Sequence, residues 1–301
     1  YRLVHEALPE MALAEVDTRT SFLGSALQAP LLISAMTGGA PVAREINRRL
    51  AVAAQTLGLA LALGSQRAAL DDPSLLDTYQ VRALAPDVPL LANLGAVQLN
   101  YGVGPDACRR LVEAVEADAL VLHLNPLQEA LQPEGNTDFR GLAAKIEVLC
   151  QTLGKPVIVK EVGSGFAVAT AQRLHEAGVW ALDVAGAGGT SWSEVERLRA
   201  RTPADAEVAG AFVAWGHPTA EALISLRAAF PHWPLIASGG IRHGLDVAKC
   251  LALGAQLAGM AHALLKAAAT SAEALHTRLE IVIRQLRVAM FCSGARTLAA
   301  L

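Results

Sequence analysis

Eight short apolar runs, separated by stretches of helical spacing, constrain this chain more than any other feature. They are Leu31 to Ala35, Leu59 to Leu63, Pro89 to Asn93, Ala119 to His123, Pro156 to Lys160, Ala181 to Ala185, Pro234 to Ser238 and Gln256 to Met260. Between them, Glu45 to Leu57, Asp106 to Ala117, Ala167 to Ala177, Thr219 to Phe230 and Gly244 to Leu253 repeat apolar residues at helical spacing, many followed by Gly or Pro. Parallel strands need long crossovers, so this alternation predicts strands joined by helices. Eight such units in 301 residues predict one closed TIM-type (β/α)8 barrel. An open doubly wound sheet would show fewer units and a glycine-rich phosphate turn after its first strand, and neither is seen.

The chain is 53% hydrophobic and 18% charged, enough apolar material to bury a sheet wrapped by helices on every side. No Pro/Ser-rich linker divides it, so a single domain is expected over residues 1–301. One insertion breaks the rhythm at about residues 191–218, with its own helix from Ser193 to Arg201 before the turn Trp215-Gly216-His217-Pro218. Placed after the sixth strand, it is expected to overhang the mouth of the barrel as a lid.

Composition narrows the partners. No apolar stretch reaches the roughly 20 residues that a membrane helix needs, so no membrane association is expected. Twenty-five basic against 28 acidic residues, without a basic block, argue against nucleic acid. The four cysteines lie far apart with no C-x-x-C pair, which suits a reducing cytoplasm and neither a zinc site nor a disulfide framework. The chain opens at Tyr1 rather than at a methionine, and a segment upstream is expected.

Active sites of such barrels lie at the C-terminal ends of the strands, and the polar residues and glycines of this chain collect there. The ends read Met36-Thr37-Gly38-Gly39, Gly64-Ser65-Gln66-Arg67, Asn93-Leu94-Gly95, His123-Leu124-Asn125, Lys160-Glu161-Val162-Gly163, Gly186 to Thr190, Ser238 to Arg242, and Ala261-His262. Gly239 and Gly240, then Ala261 and His262, each precede a helix and offer backbone N–H groups to a phosphate; tight turns alone are the competing explanation. Lys160 closes an apolar strand and needs an anionic partner, whether as a Schiff-base amine, in a salt bridge to Glu161 or Asp183, or against an electron-rich cofactor edge. His123, Asn125, Gln128 and Glu129 bring an imidazole, two amides and a carboxylate to one loop. Glu129 suits magnesium shared with ligand phosphates, or it is a solvated loop carboxylate. Arg67 has the planar donor fork for a diphosphate, in competition with a salt bridge to Asp71 or Asp72. His243, Asp246 and Lys249 read as a solvated helix face.

The motifs M-T-G-G, G-S-Q-R, A-N-L-G, H-L-N-P-L-Q-E-A-L-Q-P-E-G-N-T-D-F, V-K-E-V-G, D-V-A-G-A-G-G-T-S-W and A-S-G-G-I-R-H-G follow one another over nearly the whole chain. In that order the chain resembles type 2 isopentenyl diphosphate isomerase, an FMN-linked barrel enzyme of isoprenoid biosynthesis. The H-L-N-P-L-Q-E stretch is particular to that family, whereas the last glycine motif is shared by many FMN barrels. The resemblance implies isomerisation between isopentenyl and dimethylallyl diphosphate, with FMN reduced by NADPH. It also implies that Ala35, Met36, Thr37, Ser65, Asn93, Lys160 and Thr190 line FMN, while Gly239, Gly240, Arg242, Ala261 and His262 hold its phosphate. His123, Asn125 and Gln128 then face the reacting alkene. Ser65, Gln66, Arg67 and Gln128 meet the substrate, Glu129 binds Mg2+, and the chain forms a homo-oligomer of four or eight copies. Two departures stand out: the family's basic Arg-Lys-x-x-His stretch has no counterpart before Tyr1, and His262 stands where an arginine is expected. An FMN-dependent 2-hydroxy-acid oxidase would need a histidine between Asp183 and Trp192, and there is none. A non-catalytic flavin- or phosphate-binding barrel is the remaining alternative.

Overall fold

The computed structural model describes residues 1–301. An antiparallel hairpin opens it, β1 (Thr20–Phe22) and β2 (Ser25–Leu27), turning through Leu23 and Gly24 at φ 50° and 82°. Two successive left-handed residues make the tight turn that matches strand twist, at the cost of placing a leucine there.

Eight parallel strands follow: β3 (Leu31–Ile33), β4 (Ala60–Ala62), β5 (Leu90–Gly95), β6 (Ala119–Leu124), β7 (Val157–Glu161), β8 (Ala181–Asp183), β9 (Leu235–Ala237) and β10 (Leu257–Met260). They close in chain order, with β10 pairing β3, so all eight expected strands and the TIM barrel are present.

Around the barrel run α1 (Pro41–Leu57), α2 (Arg67–Asp71), α3 (Pro105–Ala114), α4 (Pro126–Leu131), α5 (Leu142–Thr152), α6 (Val168–Glu176), α7 (Trp192–Arg199), α8 (Pro203–Gly210), α9 (Thr219–Ala229), α10 (Gly244–Ala252), α11 (His262–Thr270) and α12 (Ala272–Cys292). No helix is long and apolar enough to cross a membrane. Pro at the first turn and left-handed Gly58 at the end delimit α1, starting it four residues before the expected Glu45. The last helix buries Leu275, Leu279, Val282 and Leu286, spaced four, three and four apart, and packs on α1, α10 and α11. The insertion holds two helices where one was expected, the second capped by Thr202, whose hydroxyl accepts from the Asp205 N–H.

The period of two along each strand decides what meets the barrel axis. Leu32, Ala62, Leu91, Val121, Ile158, Ala181, Ile236 and Leu257 form an inner cluster, and Phe22 and Leu27 of the hairpin join it. Leu31, Ile33, Leu90, Leu120, Val159 and Leu182 belong instead to the outer core shared with the helices. One inward step further toward the C-terminal ends, the apolar series stops and Ser34, Asn93, His123, Lys160, Asp183 and Ser238 take over.

Candidate active site

That polar layer forms the floor of the mouth and resolves into two bonded groups. Lys160 Nζ lies 3.2 Å from Asp183 Oδ2 and donates to Ser238 Oγ at 3.2 Å, while Ser238 Oγ donates to Asp183 Oδ1 at 2.6 Å. Strand register sets this up: Lys160 pairs with Asp183 across β7 and β8, and with His123 across β6 and β7. Of the two partners weighed for Lys160, Asp183 is therefore the one it meets. Glu161, one residue on, points to the other side, where its Oε2 accepts the N–H groups of Val162, Gly163 and Ser164. Burial pushes the Glu161 carboxyl up, against those three N–H groups and the Lys160 charge.

The second group is Asn93 and His123, whose Oδ1 and Nδ1 are 2.8 Å apart. Burial, with a smaller contribution from the Lys160 charge, pushes the imidazole down to about 4. A ring shifted this far is neutral at pH 7, and the Asn93 oxygen, which can only accept, selects the tautomer with its proton on Nδ1 and leaves Nε2 as the acceptor. Gly95 leaves room for that edge, since a Cβ there would stand 3.2 Å from Nε2.

Beyond β6 the chain turns into α4, and Asn125 organises the turn. Its Nδ2 donates to Gln128 Oε1 at 3.1 Å and to Glu129 Oε1 at 3.0 Å. Glu129 Oε2 accepts from the Asn136 N–H at 2.6 Å, so Glu129 is a buried, organised carboxylate rather than a solvated one. No group of three or more His, Cys, Asp or Glu side chains is arranged so that it could hold a metal ion.

At β4, Gln66 Oε1 accepts the Asn93 N–H at 2.9 Å and the Gln66 N–H returns to the Asn93 carbonyl at 2.8 Å. Ser65 and Arg67 stay exposed, and Arg67 Nε sits 3.7 Å from Asp71, the loose pair foreseen as its competing role. Tyr79 braces this loop from beneath: its hydroxyl donates to the Ser65 carbonyl at 2.7 Å, and its ring lies where a Cβ on Gly38 would go. Asn47 Nδ2 donates to the carbonyls of Thr37 (3.2 Å) and Thr78 (2.8 Å). Neither Tyr79 nor Asn47 stands at a strand end, which is why the sequence reading passed over both.

On the opposite rim two glycine loops touch backbone to backbone. A Cβ on Gly240 would come within 2.6 Å of the Gly188 carbonyl, and one on Gly189 within 2.7 Å of the Gly240 nitrogen. Gly239 and Gly240 adopt φ 98° and 81°, which L side chains avoid. The N–H groups of Gly239, Gly240, His262 and Ala263 donate to no acceptor of the chain. His262 is the exposed first residue of α11, with Ala261 before it. The Arg242 side chain turns to the Gly188 carbonyl at 3.0 Å and pins the two loops together. Asp246, read as part of a solvated face, accepts the Arg242 N–H at 3.0 Å, and His243 caps α10.

Between the rims an open cleft of about 480 Å3 brings Asn125 and Gln128 together with Thr190, Trp192 and the insertion residues Phe212, Val213 and Trp215. Ala35, Met36 and Thr37 line the neighbouring edge after β3, half-buried. Three buried polar atoms at the mouth have no partner: Ser34 Oγ, Gln66 Nε2 and Asn125 Oδ1. Groups buried in this way carry a cost of about 1–3 kcal/mol each that a ligand can relieve.

A closed parallel barrel with a polar floor and paired glycine loops at its C-terminal mouth defines a (β/α)8 scaffold of the enzyme type, with its candidate site at that mouth. Residues 125–301 match the family model described as FMN-dependent dehydrogenase. Solved structures share the fold: a mandelate oxidase bound to 3,3-difluoro-2-hydroxy-3-phenylpropionic acid (19% identity, TM-score 0.68, 99% of this chain and 84% of that one) and a putative lactate oxidase of Pediococcus acidilactici (17%, 0.71, 99% and 80%). Curated relatives agree far more closely. Isopentenyl-diphosphate delta-isomerase of Cronobacter sakazakii is 56% identical over 100% of this chain and 87% of its own length. The proteins of that name from a Synechococcus (55%; 100% and 86%) and a Nostoc (52%; 98% and 84%) are similar. The chain belongs to the isopentenyl-diphosphate delta-isomerase family.

Proposed function

We propose that this protein interconverts isopentenyl diphosphate and dimethylallyl diphosphate in its barrel mouth, with reduced FMN on the polar floor and Mg2+ at Glu129. The near full-length identity to relatives bearing that name carries the reading. The residues fit the flavin: uncommitted amides at Gly239, Gly240, His262 and Ala263 suit its phosphate, and a crowded glycine contact leaves the backbone free to approach it. When bound and reduced, for which NADPH is the donor in this reading, FMN supplies acid–base groups for adding and removing a proton at the alkene. Ala35, Met36, Thr37, Asn93, Lys160 and Thr190 border the ring, and Arg242 keeps the phosphate loops in register.

The donor set also fits magnesium, under one condition. Glu129 is a lone carboxylate, so the ion would take its other oxygens from water and the diphosphate, as magnesium commonly does. Ser65, Gln66 and Arg67 hold the diphosphate from the β4 side. The neutral His123 and the amides of Asn125 and Gln128 face the hydrocarbon, orienting it without adding a charge that would attract water. Lactate and mandelate are not substrates in this reading: Gly186 to Trp192 carries no histidine to remove their proton, and His217 is exposed on the insertion. Assembly into four or eight copies belongs to the same reading.

The test is incubation with FMN, Mg2+ and isopentenyl diphosphate in deuterated buffer, with and without anaerobic dithionite, followed by NMR. Dimethylallyl diphosphate and deuterium incorporation in the reduced sample alone are expected. Flavin bleaching by lactate or mandelate would return the site to the hydroxy-acid oxidases.

A further inference from the structure

We propose that Asp183 is a positioning residue that sets the charge of the mouth's floor, holding Lys160 as an ammonium and fixing its direction through Ser238. Asp183 is buried at the end of β8, 2% exposed, and its carboxylate has two side-chain partners, Lys160 on one oxygen and Ser238 on the other. A serine hydroxyl has one proton and two lone pairs. Here it spends the proton on Asp183 and accepts from Lys160, so the three side chains close a ring from β7 and β8 to the residue that follows β9. Asp183 and Ser238 occupy two of the three donor directions of the ammonium, leaving one for a ligand at the mouth.

The other charged or titratable groups around Lys160 do not substitute for Asp183. His123, from β6, is neutral and sits beside it in register; Glu161, next in the chain, commits one oxygen to three backbone N–H groups on the far side. Ser238 carries no charge. Removing the Asp183 charge alone would leave a buried ammonium with no counter-ion, a state that burial resolves by releasing the proton. The floor would then change charge within the working pH range instead of remaining a neutral ion pair.

The test compares parent, D183N, K160M and D183N/K160M, first without flavin. Urea midpoints are measured from about pH 7 to about pH 10, a range chosen because an ordinary lysine titrates near its upper end. In D183N, the buried ammonium loses its counter-ion, so proton binding to Lys160 is expected to be weaker in the folded than in the unfolded chain. A base that holds its proton less tightly when folded makes the folded state gain stability as pH rises, so D183N should become more urea-resistant between about pH 8 and pH 10 relative to parent. K160M added to D183N should abolish that gain. If D183N is insoluble, recovery of a folded barrel in D183N/K160M supports the same conclusion, because only an uncompensated ammonium makes Lys160 harmful. A D183N profile parallel to parent, or a double variant as insoluble as the single one, overturns the proposal.

With FMN bound, the flavin's two-electron potential is followed over the same pH range. A proton-linked step in D183N, absent from parent and from D183N/K160M, is expected; its absence overturns the part of the proposal that connects Asp183 to the cofactor. This second reading rests on the proposed function, and a parent that retains no FMN refutes that function while leaving the flavin-free result standing.

Discussion

His123 makes the stability of this barrel depend on pH in a way that one substitution should remove. The imidazole is pushed from an ordinary 6.5 down to about 4, because burial and the nearby Lys160 charge oppose a second positive charge on the floor. As pH falls, the unfolded chain takes up this proton first, so the folded state loses stability between the two values and not above them. Linkage gives about 2 kcal/mol lost on going from pH 7 to pH 5, rising to about 3 kcal/mol well below pH 4. H123Q keeps a polar side chain beside Asn93 and cannot titrate. The assay is the urea midpoint of parent and H123Q across that pH range, taken as a difference so that contributions from the carboxylates cancel. Parent should lose about 2 kcal/mol more than H123Q between the two pH values. Equal losses would mean that His123 takes up its proton in place, and that the floor does not enforce a neutral ring.

Three further outcomes follow from the geometry. Y79F removes the hydroxyl that holds the Ser65 carbonyl but keeps the ring beneath Gly38, so the loop after β4 loosens by about 1 kcal/mol; under the proposed diphosphate role of that loop, steady-state kinetics should read a roughly fivefold rise in KM. G240A places a methyl against the Gly188 carbonyl at a φ of 81°, and the folded barrel, checked by circular dichroism, should no longer retain FMN. E129Q should weaken magnesium activation by at least the roughly 10–100-fold that losing an outer-shell partner costs, read as a shift in the magnesium concentration at half-maximal rate.

The barrel was legible because each strand carries its apolar run through both faces, and glycines or polar residues punctuate the ends. What escaped notice lay where local signals are weak or where distance decides. The β1–β2 hairpin turns on Leu23 rather than on an Asn-Gly or Gly-Gly pair, so nothing in three-residue strands announced it. The second insertion helix did have a signal, Thr202-Pro203 with Asp205 two residues beyond the proline, which fits an N-cap followed by a helix-starting proline. The partner of Lys160 was within reach of the period of two: Glu161, adjacent in sequence, must face the opposite side, and Asp183 falls opposite Lys160 once the strands are in register. Tyr79 and Asn47 could not be found in this way, because they brace the mouth from a connecting segment and a helix, and only the closed barrel brings them beneath the loops.

The most direct test of the central claim counts turnovers per reduced flavin. Protein carrying one equivalent of FMN is photoreduced anaerobically, given excess isopentenyl diphosphate and Mg2+, and followed at once by flavin absorbance and by NMR of the product. If the floor holds a flavin that exchanges protons with the substrate without net electron transfer, many molecules of dimethylallyl diphosphate form while the absorbance stays that of the reduced state. A saturated diphosphate formed at no more than one molecule per flavin, with the oxidised spectrum returning as it forms, would contradict the account and show that the alkene takes up the flavin's two electrons instead.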